Sequence, residues 1–176
     1  MQDEERLVER AKQRDQEAFA QLYEEYFDRI YRYIVFKIGD EMEAEDMTQQ
    51  VFLKALRSIS SFRWKGVSFS AWLFRIAHNQ VVDYLRRKAK RIAVPINESI
   101  VSGGEDPQKV TEQRADIEQV LAAAKHLTRA QREVISLRFA GDLSVAEVAK
   151  AMGRSVGAVK ALQHSAVVAL RKAMSY

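Results

Sequence analysis

Aromatic and cationic side chains alternate from Phe62 to Arg91, FRWKGVSFSAWLFRIAHNQVVDYLRRKAKR. Trp64, Phe69, Trp72, Phe74 and Tyr84 are interleaved with Arg63, Lys65, Arg75 and Arg86, and the stretch closes on Arg86, Arg87, Lys88, Lys90 and Arg91. Aromatic faces stack on unpaired bases while cations follow phosphates, so this composition suits a surface that handles opened nucleic acid. An amphipathic helix with an apolar core face and a solvated basic end has the same composition, and both readings stay open on this stretch alone.

No arrangement for bond-making chemistry stands out. Cysteine is absent, which removes disulfides, thiolate nucleophiles and the usual zinc fingers. His78, His126 and His164 stand far apart and form no metal-spaced pair. The seven glycines sit at turns, in a linker or in the first turn of the last helix, and none builds a phosphate-cradling loop. Carboxylate pairs are abundant but fall on exposed helix faces, where no desolvated site would tune them. The expectation is a protein that is not an enzyme, with no catalytic residue, no metal and no cofactor.

Two further constellations point to partners. In LSVAEVAKAMGRSVGAVKALQHSAVVALRK (Leu143–Lys172) a short helix, a turn beginning at Gly153 and a longer helix predict a helix-turn-helix. Ala149 is small where the helices cross, Gly153 can take the positive φ of the turn, and Val148, Met152, Val159 and Leu162 supply the apolar contacts. The second helix then presents Ser155, Gly157, Lys160, Ala161 and His164 to a major groove. No acid follows Glu147, whereas Lys150, Arg154, Lys160, Arg171 and Lys172 do, the charge balance a phosphate backbone demands. The opposite charge gathers at Asp40, Glu41, Glu43, Glu45 and Asp46, followed by Gln49 and Gln50. Acids are favoured in a first helical turn for their own sake, but the polar face continues into the helix and suits a basic protein element.

Helical periodicity positions these groups. The expected elements before the linker are Glu4–Arg14, a long helix capped by Asp15 and ended by Gly39, a third from the Asp40/Glu43 capping box to about Ser58, and a fourth capped by Ser68 or Ser70. The third helix buries Met47, Val51, Ala55, Leu56 and Ile59; the fourth buries Trp72, Leu73, Ile76, Ala77, Val81 and Leu85. Both prolines (Pro95, Pro107) and the pair Gly103-Gly104 fall within Ile92–Val110, which reads as a flexible linker. Beyond it come helices near Thr111–His126 and Arg129–Ala140, the latter capped by Thr128 with Gln131 and stopped by Gly141, then the helix-turn-helix. No strand pattern appears. The expected fold is all-α: two helical domains, residues 1–91 and 111–176, joined by 92–110.

At 176 residues, 47% hydrophobic and 30% charged, the chain has the composition of a soluble folded protein. No apolar run approaches the roughly 20 residues of a membrane span, so no membrane insertion is expected. A charged N-terminus, MQDEERLVERAKQRDQ, argues against a secretory signal, and the lack of cysteine fits a cytoplasmic location. The net charge of +4 favours an anionic partner.

Taken together, the chain resembles the sigma-70 family of bacterial RNA polymerase sigma factors, in its extracytoplasmic function (ECF) subfamily. AEDMTQQVFLKAL (Ala44–Leu56) resembles the family's polymerase-binding helix, FSAWLFRIAHNQVVDYLRR (Phe69–Arg87) the helix that engages the melted minus-ten element, and Leu143–Lys172 the reader of the minus-thirty-five element. The resemblance implies that Asp46, Gln49 and Gln50 grip the beta-prime clamp helices of core RNA polymerase, with the beta flap as a further contact. It implies that Ser61–Ser68, including Phe62, Arg63, Trp64, Lys65 and Ser68, captures a flipped minus-ten base. Arg75, Asn79, Asp83, Arg86 and Arg87 would face the same element. Arg154, Ser155, Gly157, Lys160, Ala161, His164 and Ser165 would meet the minus-thirty-five element. Gln50 stands where glutamate is usual, Ala161 where serine is, and Ser165 where arginine is common. Promoter opening without chemistry by this chain, and control by an anti-sigma factor, are implied as well. A helix-turn-helix regulator acting without polymerase is the main rival reading; it would need no acidic helix at Asp40–Gln50. A protein-scaffolding adaptor would need no acid-free C-terminus.

Overall fold

The computed structural model describes residues 2–93 and 112–175, and every regular element among them is helical. Helix α1 (Gln2–Lys12) ends at a turn in which Arg14 takes φ 65°. The Asp15 carboxylate then accepts the backbone N–H groups of Glu17 and Ala18, as a capping aspartate should, and starts α2 (Gln16–Ile38). Gly39, at φ 75°, donates its N–H to the Val35 carbonyl and closes that helix. Asp40 accepts from the Glu43 N–H at 3.0 Å and opens α3 (Glu41–Ser58). A 3₁₀ turn (Ile59–Ser61) and a loop lead to α4 (Phe69–Ala93), where Ser68 accepts the Ala71 N–H. Ile92 and Ala93 belong to α4, and the rest of the expected linker lies outside the described residues.

The C-terminal domain begins with α5 (Glu112–Ala124) and α6 (Arg129–Ile135), the latter opened by a reciprocal capping box between Thr128 and Gln131. The helix expected to run on to Ala140 instead widens into a π-helical turn (Ser136–Ala140), with the Gly141 N–H bonded to the Ser136 carbonyl at 2.8 Å. Gly141 has an ordinary φ of −83°. Space demands its glycine: a Cβ there would lie 2.8 Å from Phe74 Cε1 and 2.9 Å from the Leu137 carbonyl oxygen.

The helix-turn-helix forms as its sequence specifies. A second capping box, Ser144 with Glu147, opens α7 (Val145–Met152), and Ser155 caps α8 (Val156–Met174). Gly153 joins them at φ 64° with open space where a Cβ would stand. Its requirement is therefore one of backbone conformation alone, and Gly153→Ala should cost about 1 kcal/mol. Urea unfolding followed by circular dichroism measures this; a loss near zero would show that the turn tolerates a side chain.

One apolar core runs across both domains. Leu22, Ile30, Tyr33, Ile34, Leu73 and Phe74 from α2 and α4 pack in one cluster with Val134, Leu137, Leu143, Val148 and Val159. Full burial of each such side chain contributes about 1.5–3 kcal/mol, so the shared portion matters to stability. Leu56 departs from expectation: it is 49% exposed, and Phe52 is buried in its stead. The larger Phe52 ring fills the space against Tyr23 and Phe27 of α2, at 4.7 and 6.3 Å between centroids, and Leu56 is left on the rim. Among the described residues no helix is long and apolar enough to cross a membrane.

Candidate nucleic-acid interface

Three exposed faces carry the residues singled out by sequence. On α3, Asp46, Gln49 and Gln50 are all solvent-facing. Gln50 donates its amide to Asp46 Oδ2 at 3.0 Å and accepts at its carbonyl from the Gln80 amide of α4. A glutamate could accept from Gln80 but could not donate to Asp46, so the amide serves to hold the neighbouring carboxylate in place. Leu53 and Leu56, both about half exposed, extend this face at i+4 and i+7 from Gln49. Sequence reasoning misses Leu53, which lies off the apolar stripe of α3, and assigns Leu56 to the core because it fits the stripe of Met47, Val51, Ala55 and Ile59 at helical period.

The second face is the loop before α4 and the outer side of α4. Phe62 does not belong to it: the residue is 2% exposed, its ring centroid 4.9 Å from Trp64, 5.9 Å from Phe69 and 5.3 Å from Trp72. It is core, and a base cannot reach it in this arrangement. Trp64 is half-buried and its indole N–H donates to Glu9 Oε1 of α1 at 3.2 Å. Hydrogen bonds from Lys12 and then Trp64 hold the Glu9 carboxyl below its ordinary range. That anchor lies 55 positions away in sequence, beyond any local signal.

Arg63 and Lys65 are exposed, Arg63 donating to the Ser60 and Phe62 carbonyls. Half-buried Ser68 is engaged as the α4 cap. Arg75, Asn79 and Asp83 follow at helical spacing on the exposed side, and Arg86 and Arg87 continue beyond them, with Arg86 4.0 Å from Asp83. Trp72 is half-buried against Phe62 and Phe69, consistent with a mainly core role.

The third face is the start of α8. Arg154, Ser155, Gly157, Lys160, Ala161, His164 and Ser165 are all exposed. Two of them already have internal partners. The Ser155 hydroxyl accepts the Ala158 N–H at 3.1 Å, and Ser165 accepts from the Gln131 amide at 3.1 Å while donating to the Leu162 carbonyl. Ser165 therefore ties α8 to α6 as an acceptor, a role an arginine, which has only donors, cannot fill. Gly157 has open space around it, which permits close backbone approach. Among the described residues no group of three His, Asp or Glu side chains could hold a metal ion.

An acidic helix face, an aromatic-basic strip and a helix-turn-helix on one all-α chain define a class of protein, and comparison with known proteins agrees with it. The family described as Sigma-70 region 2 matches residues 22–91, and Sigma-70, region 4 matches residues 123–172. Over 94% of this chain the sequence is 39% identical to the ECF RNA polymerase sigma factor BldN of Streptomyces coelicolor, of whose length it spans 64%. It is 31% identical to SigX of Bacillus subtilis, over 90% of this chain and 84% of SigX. It is also 31% identical to SigW of the same organism, over 94% and 93%. The chain belongs to the ECF RNA polymerase sigma factors. Among solved structures it is similar to CnrH in complex with the cytosolic domain of CnrY, with TM-score 0.72 and 26% identity over 97% of this chain and 96% of that one. The sigma factor RpoE from Bartonella quintana, solved with the anti-sigma factor NepR, shares the fold at TM-score 0.69 and 24% identity, covering 89% and 96%.

Proposed function

We propose that this chain binds core RNA polymerase, directs it to promoters and helps open the DNA, performing no bond chemistry itself. Residues 1–91 form the unit that meets polymerase and the minus-ten element; residues 111–176 form the unit that reads the minus-thirty-five element. The observation that carries this reading is the exposure of three separate, chemically distinct faces on a sigma-factor fold. Asp46, Gln49 and Gln50 meet the beta-prime clamp helices, and the beta flap is a further polymerase contact. Arg63, Trp64, Lys65 and Ser68 surround the captured base; Arg75, Asn79 and Asp83 line the strand, and Arg86 and Arg87 hold phosphates. Arg154, Ser155, Gly157, Lys160, Ala161 and His164 face the duplex, and Ser165 braces the helix that carries them.

The energetics need no ATP. Unstacking costs a few kcal/mol per base, and each base stacked on an aromatic side chain returns about 1–3 kcal/mol. Capture therefore offsets most of the unstacking cost, and binding to polymerase on the promoter supplies the remainder. The working compartment is the cytoplasm, where polymerase and promoter are found. An anti-sigma factor that masks these faces is the fitting regulator, in keeping with the resemblance to CnrH, which is held by another protein's cytosolic domain.

Run-off transcription with purified core polymerase, with and without this chain, tests the proposal; identical transcripts in both reactions would remove it. On the duplex-reading face, Lys160→Ala should weaken promoter binding and make it less salt-dependent, lowering the slope of log K against log salt by about one unit. A titration of affinity against salt reads this directly, and an unchanged slope takes Lys160 off the phosphates.

A further inference from the structure

The two domains are fastened to each other at three places, two of which involve no residue that the proposed function uses. Glu133 of α6 is 6% exposed. Its Oε1 accepts the Tyr33 hydroxyl of α2 at 2.7 Å and the His78 Nδ1–H of α4 at 3.0 Å, and its Oε2 pairs with the Lys37 ammonium of α2. Burial, and then the cations Lys37 and Arg129, hold His78 below its ordinary pKa, so a neutral ring donates here. Second, Arg29 and Arg32 of α2 donate to the carbonyls of Ala140, Gly141 and Asp142 at 2.9–3.2 Å, capping the end of the π-helical turn from the other domain. Third, α7 sits on the start of α4: Ser70 donates to Glu147 Oε1 at 2.6 Å, and the Arg75 guanidinium reaches the Lys150 carbonyl at 3.4 Å. Burial raises the Glu147 carboxyl, but bonds from Ser70 and Ser144 outweigh it and hold it ionised, below the ordinary range.

The consequence is steric. Ser68 and Arg75 belong to the proposed minus-ten face, and both abut α7: Ser68 Oγ lies 3.5 Å from Glu147 Oε1, and a Cβ at Gly66 would be 3.6 Å from Lys150 Nζ. A single strand drawn along the loop and α4 meets α7 there. The polar fastenings outside α7 are made by none of the residues assigned to polymerase or DNA, so they can release without removing a contact of either reading face.

We infer that Glu133, with Arg29 and Arg32, forms an interdomain lock that keeps this sigma factor closed, with α7 obstructing the minus-ten face until the lock opens. The inference rests on the proposed minus-ten assignment for its consequence, but not for its geometry. Binding of a strand that only the open form accepts is weakened by the fraction of open molecules, so any change that enlarges this fraction tightens binding in proportion.

The test uses the full chain with cysteines placed at Lys54 and Lys172, both exposed, in a protein that has no cysteine of its own. Spin labels there report the interdomain distance by double electron–electron resonance. A single narrow distribution is expected for the parent. Glu133→Ala, which leaves Tyr33, His78 and Lys37 without their shared partner, should raise the long-distance population about tenfold. Arg29→Ala with Arg32→Ala should shift it in the same direction; Arg32 is exposed and Arg29 half-buried over the Tyr26 ring, so neither change empties an apolar site and the pair guards against a folding artefact, while far-UV circular dichroism checks that helices persist. Affinity for a fluorescein-labelled single-stranded oligonucleotide of mixed sequence should tighten about tenfold in step. Unchanged distances in both variants overturn the lock. Opened distances with unchanged strand affinity overturn the obstruction by α7. Opened distances with tighter strand binding sustain both, even if wild-type run-off transcription fails, an outcome that would instead count against the proposed function.

Discussion

Replacing Asp46 and Gln49 together by alanine should reduce association with core RNA polymerase about a hundredfold and abolish promoter-directed run-off at ordinary protein concentrations. Truncating a central charged contact in an interface typically costs 2 kcal/mol or more, and a second polar contact beside it about 1 kcal/mol, which together make roughly two powers of ten. The fold should not notice. Both side chains are exposed on α3, and surface substitutions without packing or capping roles shift stability by about 0.5 kcal/mol or less. Asp46 does accept one hydrogen bond, from Gln50; its loss frees the Gln50 amide to water at little cost. Pull-down with core polymerase and urea unfolding of the same preparation separate the two effects. Normal association by a well-folded double variant would sink the assignment of α3.

The second large effect concerns stability. Phe62→Ala should lower the free energy of unfolding by about 3–5 kcal/mol, the usual cost of emptying a buried phenylalanine site. The ring is enclosed by Trp64, Phe69 and Trp72, and two of these neighbours, Phe69 and Trp72, stand in the first turn of α4, next to the loop proposed to capture a base. Truncation therefore loosens the loop as well as the core. Arg63→Ala, next door and exposed, should leave unfolding nearly unchanged while weakening single-strand binding. If Phe62→Ala unfolded within about 1 kcal/mol of the parent yet lost strand binding, Phe62 would be a base contact after all and the packing around it would be wrong.

Much of this molecule is local. Asp15, Asp40, Ser68, Thr128, Ser144 and Ser155 each accept a backbone N–H at a helix start, and Gly39 and Gly153 each end a helix at positive φ. Such signals act within four residues, so helix existence and most boundaries could be read from residue order alone. The exposed polar faces were legible for the same reason. Asp46, Gln49 and Gln50, Arg75, Asn79 and Asp83, and the start of α8 alternate with apolar stripes at helical period.

Side chains in irregular stretches obey no period, and there only tertiary structure decides. Phe62 follows a 3₁₀ turn, so no stripe indicated which way its ring would face; the cluster of Trp64, Phe69 and Trp72 drew it inward. Leu56 had the right period for burial, but the larger Phe52 one turn earlier occupies the space against α2. The π-helical turn ends where Gly141 meets Phe74 from the other domain, a contact across 67 positions visible only in three dimensions.

The opening stretch of aromatics and cations was thus divided by packing: Phe62 and Phe69 went to the core, Trp72 largely so, while Arg63, Lys65, Arg75, Arg86 and Arg87 stayed outside. Residue order by itself determined the all-helical fold, the helix-turn-helix and the polar faces, because capping and periodicity are short-range. The closure of one domain on the other was decided only by tertiary structure. Tyr33, His78 and Glu133 come from three helices, and a buried carboxylate's need for donors has no signature in the spacing of those who supply them.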